Sequence, residues 1–250
     1  MAVNSLQVLY LGYSPIPKGM LTYARPLEVV DTGFFAFVIR TDDHTILVDT
    51  GPHPDDFAEV APRGFKFNTK EEDLLPNRLK EIGLTFKDID MVIWTHVGFD
   101  HNGWISHLHH AEHVMQKTEY EFITHPPAFY RAYHPEKFLH PDIKWRLVDG
   151  DTVFMPGITL LMTPGHTLGQ QSVMVDLPDS GTIILSADVV HFHENIDKEY
   201  IPNICVDQMQ AFYSVKRLKV WAQIRKAQVF TSHDYGHWMK AIKKSPEAYT

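Results

Sequence analysis

Cysteine is almost absent from this sequence: Cys205 is the only one among 250 residues. A single thiol excludes an internal disulfide, and it excludes a metal site built from clustered thiolates. The sequence also lacks any apolar run approaching the ~20 residues that a membrane-spanning helix requires. Its first residues show no charged region followed by an apolar stretch, as a signal peptide would. We therefore expect a cytoplasmic protein with no membrane partner.

Positive charge is scarce as well. The chain has 23 lysines and arginines against 31 aspartates and glutamates, which gives a net charge of −8 with histidine neutral. No basic run offers a surface for nucleic acid, so nucleic acid is excluded as the main partner. A length of 250 residues with 44% hydrophobic residues supports one large core. We expect a single domain over residues 1–250.

Histidine, by contrast, is abundant, with 16 residues. His96, Asp100 and His101 fall within the short segment Trp94–Gly103, directly after the apolar run 91–93. Nitrogen and oxygen donors clustered at the end of a buried strand suit a divalent transition metal, most often zinc. The alternative is a polar turn whose histidines cap neighbouring elements, and further histidines at the ends of later strands argue against it.

Hydrophobic periodicity predicts strands that alternate with a few helices. Strands are predicted at 6–11, 34–39, 45–48, 88–94, 113–116, 145–148, 158–163, 171–175, 182–185 and 228–230. Helices are predicted from 69 to 82 with Pro76 as a start or a kink, from 118 onward, and over 207–227. Asp49, which ends one strand, is expected to orient a metal-binding histidine or to anchor the loop.

Two aromatic segments are candidates to surround a site. Residues 52–69 show no periodicity and predict a long surface loop, in which Phe57, Phe65 and Phe67 either line an apolar pocket or hold the loop to the core. Residues 126–145, with Phe129 and Phe138 among their aromatics, predict either a cap over the site or a dimer surface.

The passage His96-Val-Gly-Phe-Asp-His101 resembles the His-x-His-x-Asp-His metal loop of the metallo-β-lactamase superfamily, with Gly98 at the place of the second histidine. Thr163-Pro-Gly-His-Thr-Leu-Gly169 resembles the second motif of that superfamily. The resemblance implies an α/β fold, the αββα sandwich of two mixed β-sheets flanked by helices. Ligands at the ends of separate strands would then converge at one edge of the sandwich.

The same resemblance implies two divalent metal ions, most often zinc, with manganese, cobalt or iron as alternatives. It places His96 and His166 at the first ion, Asp100, His101 and His233 at the second, and Asp188 between them. Gly98 removes an imidazole from the first set, so we expect the second ion to bind more tightly. His191 or His193, just after Asp188, are candidates to replace that imidazole.

Over nearly the whole chain, the pattern is most similar to the N-acyl homoserine lactone lactonases. That resemblance implies a hydrolase that opens a lactone ring with metal-activated water, with Asp100 orienting the water or moving its proton. His191 stands where those lactonases carry a tyrosine that contacts substrate, so it is a second catalytic candidate. Hydrolysis of another ester, a thioester or a lactam, and a metal-binding homologue without activity, are the alternatives. The expected partner is a small lactone or ester, and the expected assembly is a monomer or a homodimer.

Overall fold

The structure is a computed structural model that describes residues 2–60, 66–126, 135–243 and 245–250. Its strands are β1 (Val3–Pro17), β2 (Val29–Thr41), β3 (Thr45–Val48), β4 (Met91–Ile93), β5 (Glu112–Gln116), β6 (Lys144–Val148), β7 (Thr152–Met155), β8 (Ile158–Met162), β9 (Gln171–Leu177), β10 (Gly181–Leu185) and β11 (Gln228–Phe230). Its α-helices are α1 (Lys18–Leu21), α2 (Pro54–Val60), α3 (Leu75–Glu81), α4 (Phe99–Asn102), α5 (Lys117–Thr124), α6 (Pro135–Phe138), α7 (His193–Lys198), α8 (Gln208–Arg225) and α9 (Tyr235–Ala241).

The strands form two mixed sheets. The first has the order β1-β2-β3-β4-β5-β6, and the second has the order β11-β10-β9-β8-β7. Pairing is antiparallel from β1 to β3 and parallel from β3 to β6. In the second sheet only β10 and β11 run parallel.

Successive side chains of each strand pack into different layers of the sandwich, because they point to opposite faces of the sheet. In β3, Ile46 and Val48 pack into the core between the sheets, whereas Leu47 packs with the cluster that contains Leu75 of α3 and Phe122 of α5. In the second sheet, the outward-facing Ile184 contacts the cluster that includes Val215 of α8. The αββα sandwich predicted from the resemblance is confirmed.

Parallel pairing determines where the polar loops lie. The carboxyl ends of β3, β4 and β5 share one edge of the first sheet, and those of β10 and β11 share one edge of the second. The segments after β4, β10 and β11 carry His96, Asp188 and His233. One end of the sandwich therefore collects side chains that are far apart in sequence.

Several local predictions need correction. Residues 54–60, predicted as loop, form α2, and Asp55 and Asp56 place negative charge in its first turn, which stabilises a helix N-terminus. Pro76 lies at the start of α3 and does not kink it. Strand β7 and helices α7 and α9 were not predicted, since each has seven residues or fewer and little periodicity.

Phe138 is 1% exposed and packs against Trp94 in the core, so it does not line a pocket. Phe65 and Phe129 lie outside the described residues. Among the described residues, no helix combines the length and the apolar character needed to cross a membrane.

Candidate metal centre

Asp188 lies at the middle of a buried cluster of histidines. It occupies a short 3-10 turn, Ala187–Val189, directly after β10, and its side chain is 6% exposed. Its oxygen Oδ1 faces His101 Nε2 at 3.2 Å and His233 Nε2 at 3.4 Å. Its other oxygen, Oδ2, faces three further Nε2 atoms, those of His191 at 3.4 Å, His166 at 3.6 Å and His96 at 3.8 Å.

The two carboxylate oxygens thus divide the imidazoles into two sets. Asp100, on α4, extends the Oδ1 set, with its Oδ2 3.6 Å from His233 Nε2 and 3.8 Å from His101 Nε2. His191 falls in the same set as His166 and His96. Six of the seven candidate side chains were predicted as metal ligands from the sequence, and His191 was predicted as a catalytic residue or a replacement ligand; the structure places all seven together.

His193, the other candidate replacement, is not part of this cluster. Its Nδ1 lies 2.9 Å from Asp234 Oδ2, and its ring stacks at 3.6 Å between centroids on His237, on the surface side of α9. His193 is the first residue of α7, and both its backbone N–H and its ring contact Asp234, not Asp188.

Hydrogen bonds at Nδ1 fix which nitrogen of each histidine carries the proton. Asp49 accepts from the backbone N–H of Thr95 at 2.8 Å and from its hydroxyl at 2.6 Å, and it lies 2.8 Å from His101 Nδ1. Since the Thr95 hydroxyl donates to Asp49, its oxygen accepts from His96 Nδ1 at 3.1 Å. Both rings therefore hold a proton on Nδ1 and turn Nε2 toward Asp188.

The remaining three rings donate to main-chain carbonyl oxygens: His166 to Ile204 at 2.5 Å, His191 to Leu21 at 2.7 Å and His233 to Gly33 at 2.9 Å. A carbonyl oxygen only accepts, so Nδ1 is the protonated nitrogen in each ring. All five imidazoles thus present the Nε2 atom to one small volume, as metal-bound histidines do.

Several of these buried atoms have no hydrogen-bond partner within the part of the chain that the structure describes. They are Nε2 of His96, His101 and His191, and Oδ1 of Asp188. Unsatisfied buried polar atoms are costly and rare in native proteins. Ligand atoms about 2.0–2.2 Å from a tetrahedral ion lie about 3.3–3.6 Å apart. The separations around Asp188, 3.2–3.8 Å, are close to this range. The residues present therefore fit divalent metal ions.

Electrostatics of the metal-free cluster support the same conclusion. Burial lowers the pKa of His96 well below its ordinary value, and the neighbouring His101 lowers it further, so this ring is neutral. Burial alone would lower the pKa of His101 and raise that of Asp188. The charges of Asp188, Asp100 and Asp49 instead raise the pKa of His101. The charges of His233 and His101 hold the pKa of Asp188 well below its usual range. Metal binding must displace the proton from His101, so affinity should rise with pH.

Comparison with known proteins agrees with this geometry. Residues 33–247 match the sequence profile of the metallo-beta-lactamase superfamily. The chain belongs to the metallo-β-lactamase superfamily. It departs from the superfamily pattern at Gly98, whose backbone lies beside His96 and Asp100.

Relatives within the superfamily resemble this chain over most of its length. An N-acyl homoserine lactonase from Bacillus sp is 31% identical over 245 residues, which cover 92% of this chain and 94% of the relative. The lactonase AiiA from Bacillus thuringiensis subsp. kurstaki is 30% identical with the same coverage. A solved N-acyl homoserine lactone hydrolase, with N-hexanoyl-L-homoserine at its catalytic metal centre, superposes with a TM-score of 0.88 at 28% identity and covers 100% of both chains.

An aromatic row ends one residue before the candidate ligand Asp100. The ring of Phe57 stacks on that of Phe67 at 4.0 Å between centroids, and Phe67 meets the edge of Phe99 at 6.1 Å. Phe99 directly precedes Asp100. With side chains 15% and 12% exposed, Asp100 and His166 are more accessible than the other candidate ligands. The described structure thus opens the centre to solvent beside these two residues.

Two contributors to the site were not identified from the sequence. The Thr95 hydroxyl is hydrogen bonded to both Asp49 and His96. In the sequence, only its position next to the predicted ligand His96 could have indicated this role. Glu119 is buried and accepts hydrogen bonds from the backbone N–H groups of Val97 and Gly169, whereas the sequence assigned it no role beyond the helix predicted from 118 onward. Both roles depend on contacts between distant parts of the chain.

Proposed function

We propose that this protein is a metal-dependent hydrolase that opens N-acyl homoserine lactones. The observation that carries the proposal is three overlapping groups of candidate ligand atoms, which together comprise five imidazoles and two carboxylates. The Nδ1 atom of each imidazole is hydrogen bonded to another group of the protein. The lactone as substrate is supported by the lactonase relatives, which are 30–31% identical to this chain over 92% of its length.

The two oxygens of Asp188 suggest how two ions are shared. The first position takes the imidazoles of the Oδ2 set, and the second takes the side chains of the Oδ1 set. The first position is proposed to comprise His96, His166 and His191, and the second Asp100, His101 and His233, with Asp188 serving both. His191 supplies the imidazole that Gly98 removes, which leaves each position three ligands in addition to Asp188. Imidazole and carboxylate donors favour zinc, with manganese, cobalt or iron as alternatives.

When bound, such ions lower the pKa of water toward neutrality and polarise a carbonyl group. The protein's own part in the reaction centres on Asp100. Its carboxylate is partly exposed and next to the second ligand set, so it can accept the proton that water loses as it attacks the ring carbonyl. The same carboxyl group then gives that proton to the ring oxygen as the carbon–oxygen bond breaks. One water is consumed, and the product is the open-chain hydroxy acid.

The aromatic row from Phe57 to Phe99 is proposed to receive the acyl chain. Neighbouring rings of the row are in contact, and Phe99 directly precedes Asp100 in the chain. Apolar side chains with a few polar groups at one end are typical of small-molecule sites. The row therefore orients a lactone with its ring at the ions and its chain along Phe67.

A substrate panel tests the reaction. Hydrolysis is followed by proton release with homoserine lactones of several chain lengths, an aryl ester and a thioester. We expect lactone opening, and we expect Asp100→Asn to abolish it. Asp142→Asn, an exposed aspartate with a side chain 76% exposed, is the matched control and should retain activity.

Turnover of the ester or the thioester without lactone opening would refute the lactone assignment. It would favour the second candidate, a hydrolase of another ester or thioester. The observation in favour of that candidate is His191, which stands where the lactonases of the resemblance carry a tyrosine.

Metal counting tests the proposed role of His191. We expect His191→Ala to lose one of two bound ions, because three imidazoles around Asp188 Oδ2 become two. His193→Ala is the matched control, since that ring bonds Asp234 and should leave the count unchanged. Two ions retained in His191→Ala would leave only a substrate contact for this residue. Wild-type protein with no metal after growth in zinc, manganese, cobalt or iron would overturn the metal proposal altogether.

A further inference from the structure

Glu119 is a fully buried carboxylate outside the ligand cluster. It lies in the first turn of α5 and has no exposed surface. Its Oε1 accepts the backbone N–H of Val97 at 2.9 Å, and its Oε2 accepts the backbone N–H of Gly169 at 2.9 Å. Val97 follows His96 directly, and Gly169 is three residues after His166. One carboxylate therefore joins the two loops that carry these histidines.

The approach of the second loop to α5 is unusually close. A β-carbon at Gly169 would lie 2.2 Å from the backbone nitrogen of Glu119, so no other residue fits there without movement. The rings of His96 and His166 lie 4.8 Å apart between centroids and are nearly perpendicular. The distance between the loops thus controls the distance between two Nε2 atoms that face Asp188.

Gln171 makes a similar connection nearer to the sheets. Its backbone nitrogen donates to the Thr95 carbonyl at 2.8 Å, and its side-chain amide donates to the Trp94 carbonyl at 2.8 Å. These bonds join the two residues that follow β4 to the first residue of β9. Glu119 joins the loops beyond them, at Val97 and Gly169, where sheet pairing no longer holds the backbone.

Burial of the Glu119 carboxylate between the two loops lowers the stability of the fold. Burial raises the pKa of Glu119 to about 7, although the amides of Val97 and Gly169 partly offset this effect. A neutral side chain would avoid the cost of a buried charge. A glutamine, however, accepts through one oxygen only and would turn its NH₂ group toward the second amide donor. A carboxylate can accept from both loops at once.

We propose that Glu119 is a positioning residue that sets the spacing of the His96 and His166 loops and thereby the affinity of the first metal position. The inference rests on the proposed metal-dependent function. Groups that orient metal-binding histidines typically change affinity by about 10–100-fold when they are removed. The second position uses neither His96 nor His166, and its ligands Asp100 and His101 lie on α4, beyond the bond at Val97. Its affinity should therefore depend much less on Glu119.

The test compares Glu119→Gln with Glu121→Gln. Glu121 lies on the same helix, but its side chain is 63% exposed and pairs with Lys117, so its substitution removes the same charge without touching either loop. Stepwise zinc affinities are measured by competition with a chelator, and His191→Ala identifies the step that belongs to the first position. Amide hydrogen exchange at Val97 and Gly169 is measured in metal-free protein at pH 8.

For Glu119→Gln we expect first-position affinity to fall by about 10–100-fold, second-position affinity to stay within about threefold, and exchange at one or both amides to accelerate. Glu121→Gln should match the wild type in all three. Equal losses at both positions, or unchanged affinity at the first, would overturn the proposal. Should Glu119→Gln fail to fold, Glu119→Asp, which keeps the charge but shortens its reach, is judged by the same criteria. A wild-type protein without metal would instead overturn the proposed function, so the two failures are distinguishable.

Discussion

His113 and His191 are equally buried, each with no exposed surface, yet their surroundings differ. In the first sheet, His113 accepts from Trp94 Nε1 at 3.0 Å and donates through Nε2 to the Leu108 carbonyl at 2.9 Å. In the segment after β10, His191 donates through Nδ1, but its Nε2 has no hydrogen-bond partner among the described residues.

The difference shows that burial alone does not distinguish a structural histidine from a ligand. What distinguishes them is the number of ring nitrogens that the protein satisfies. An imidazole that is hydrogen bonded at both nitrogens has a structural role. An imidazole that is hydrogen bonded at only one nitrogen keeps the lone pair of the other nitrogen for a metal ion. The predictions that follow test this distinction at each kind of residue.

The largest effect is expected at Asp188. Replacing Asp188 by Asn removes the anionic group that faces the Nε2 atoms of all five imidazoles, so we expect metal to be lost and hydrolysis to fall on the order of 10³-fold. Metal content and initial rates measure both effects. His113→Gln serves as the comparison and should retain its metal. Two bound ions in Asp188→Asn would contradict the shared role of this carboxylate.

His113 should control stability in acid instead. Burial lowers its pKa to about 4, whereas in the unfolded chain it keeps its ordinary value of 6.5. As pH falls from about 6.5 to 4, the unfolded chain takes up the proton first, so stability present at neutral pH is lost over this range. The loss amounts to at most about 3 kcal/mol.

The free energy of unfolding, measured against pH in metal-free wild type and His113→Gln, isolates this contribution. The wild-type curve should fall more steeply than that of the variant between pH 6.5 and 4. Parallel curves would mean that His113 is protonated as easily in the fold as outside it.

The ligand cluster could be predicted from the sequence because the patterns that indicate it are local. His96, Asp100 and His101 lie in one short segment after an apolar run, and periodicity placed most strands. Helix α2 was missed although Pro54 and two aspartates at its start are typical of a helix N-terminus. Proline-rich, aperiodic surroundings concealed that signal.

The hydrogen bonds that hold the ligands in place could not be predicted from the sequence. Glu119 bonds Gly169, which is 50 residues away, and His233 bonds Gly33, which is 200 residues away. No local pattern encodes such pairs, since they exist only once both sheets have packed. For the same reason the sequence could not distinguish His191, which faces Asp188, from His193, which bonds to Asp234.

A smaller effect is expected at Asp49, which tests the Nδ1 hydrogen bonds. Asp49→Asn keeps the shape of the side chain but can offer an NH₂ group where His101 Nδ1 needs an acceptor. We expect affinity at the second metal position to fall by about 10–100-fold. Asp90→Asn, at the opposite end of β4, is the control. Unchanged affinity in Asp49→Asn would show that the orientation of His101 does not depend on this bond.

The smallest effect in the wild-type background is expected at Gly98. Its backbone is extended, with φ −141° and ψ 147°, so a side chain is allowed there. A β-carbon would lie 3.2 Å from Asp100 Oδ1 and from His96 Nε2, which requires these side chains to shift by a few tenths of an ångström. Because His191 is proposed to supply the third imidazole of the first metal position, Gly98→His should change metal affinity by less than about tenfold.

The same substitution should have a larger effect when His191 is absent. In the His191→Ala background, Gly98→His returns an imidazole beside His96, so we expect the lost ion to be regained. Gly98→Ala introduces the same β-carbon without an imidazole, and it should not restore the ion. The four metal contents, for wild type, each single variant and the double variant, form a cycle whose coupling measures whether the two positions serve one ion. Additive effects in this cycle would show that His191 does not replace the histidine absent at position 98.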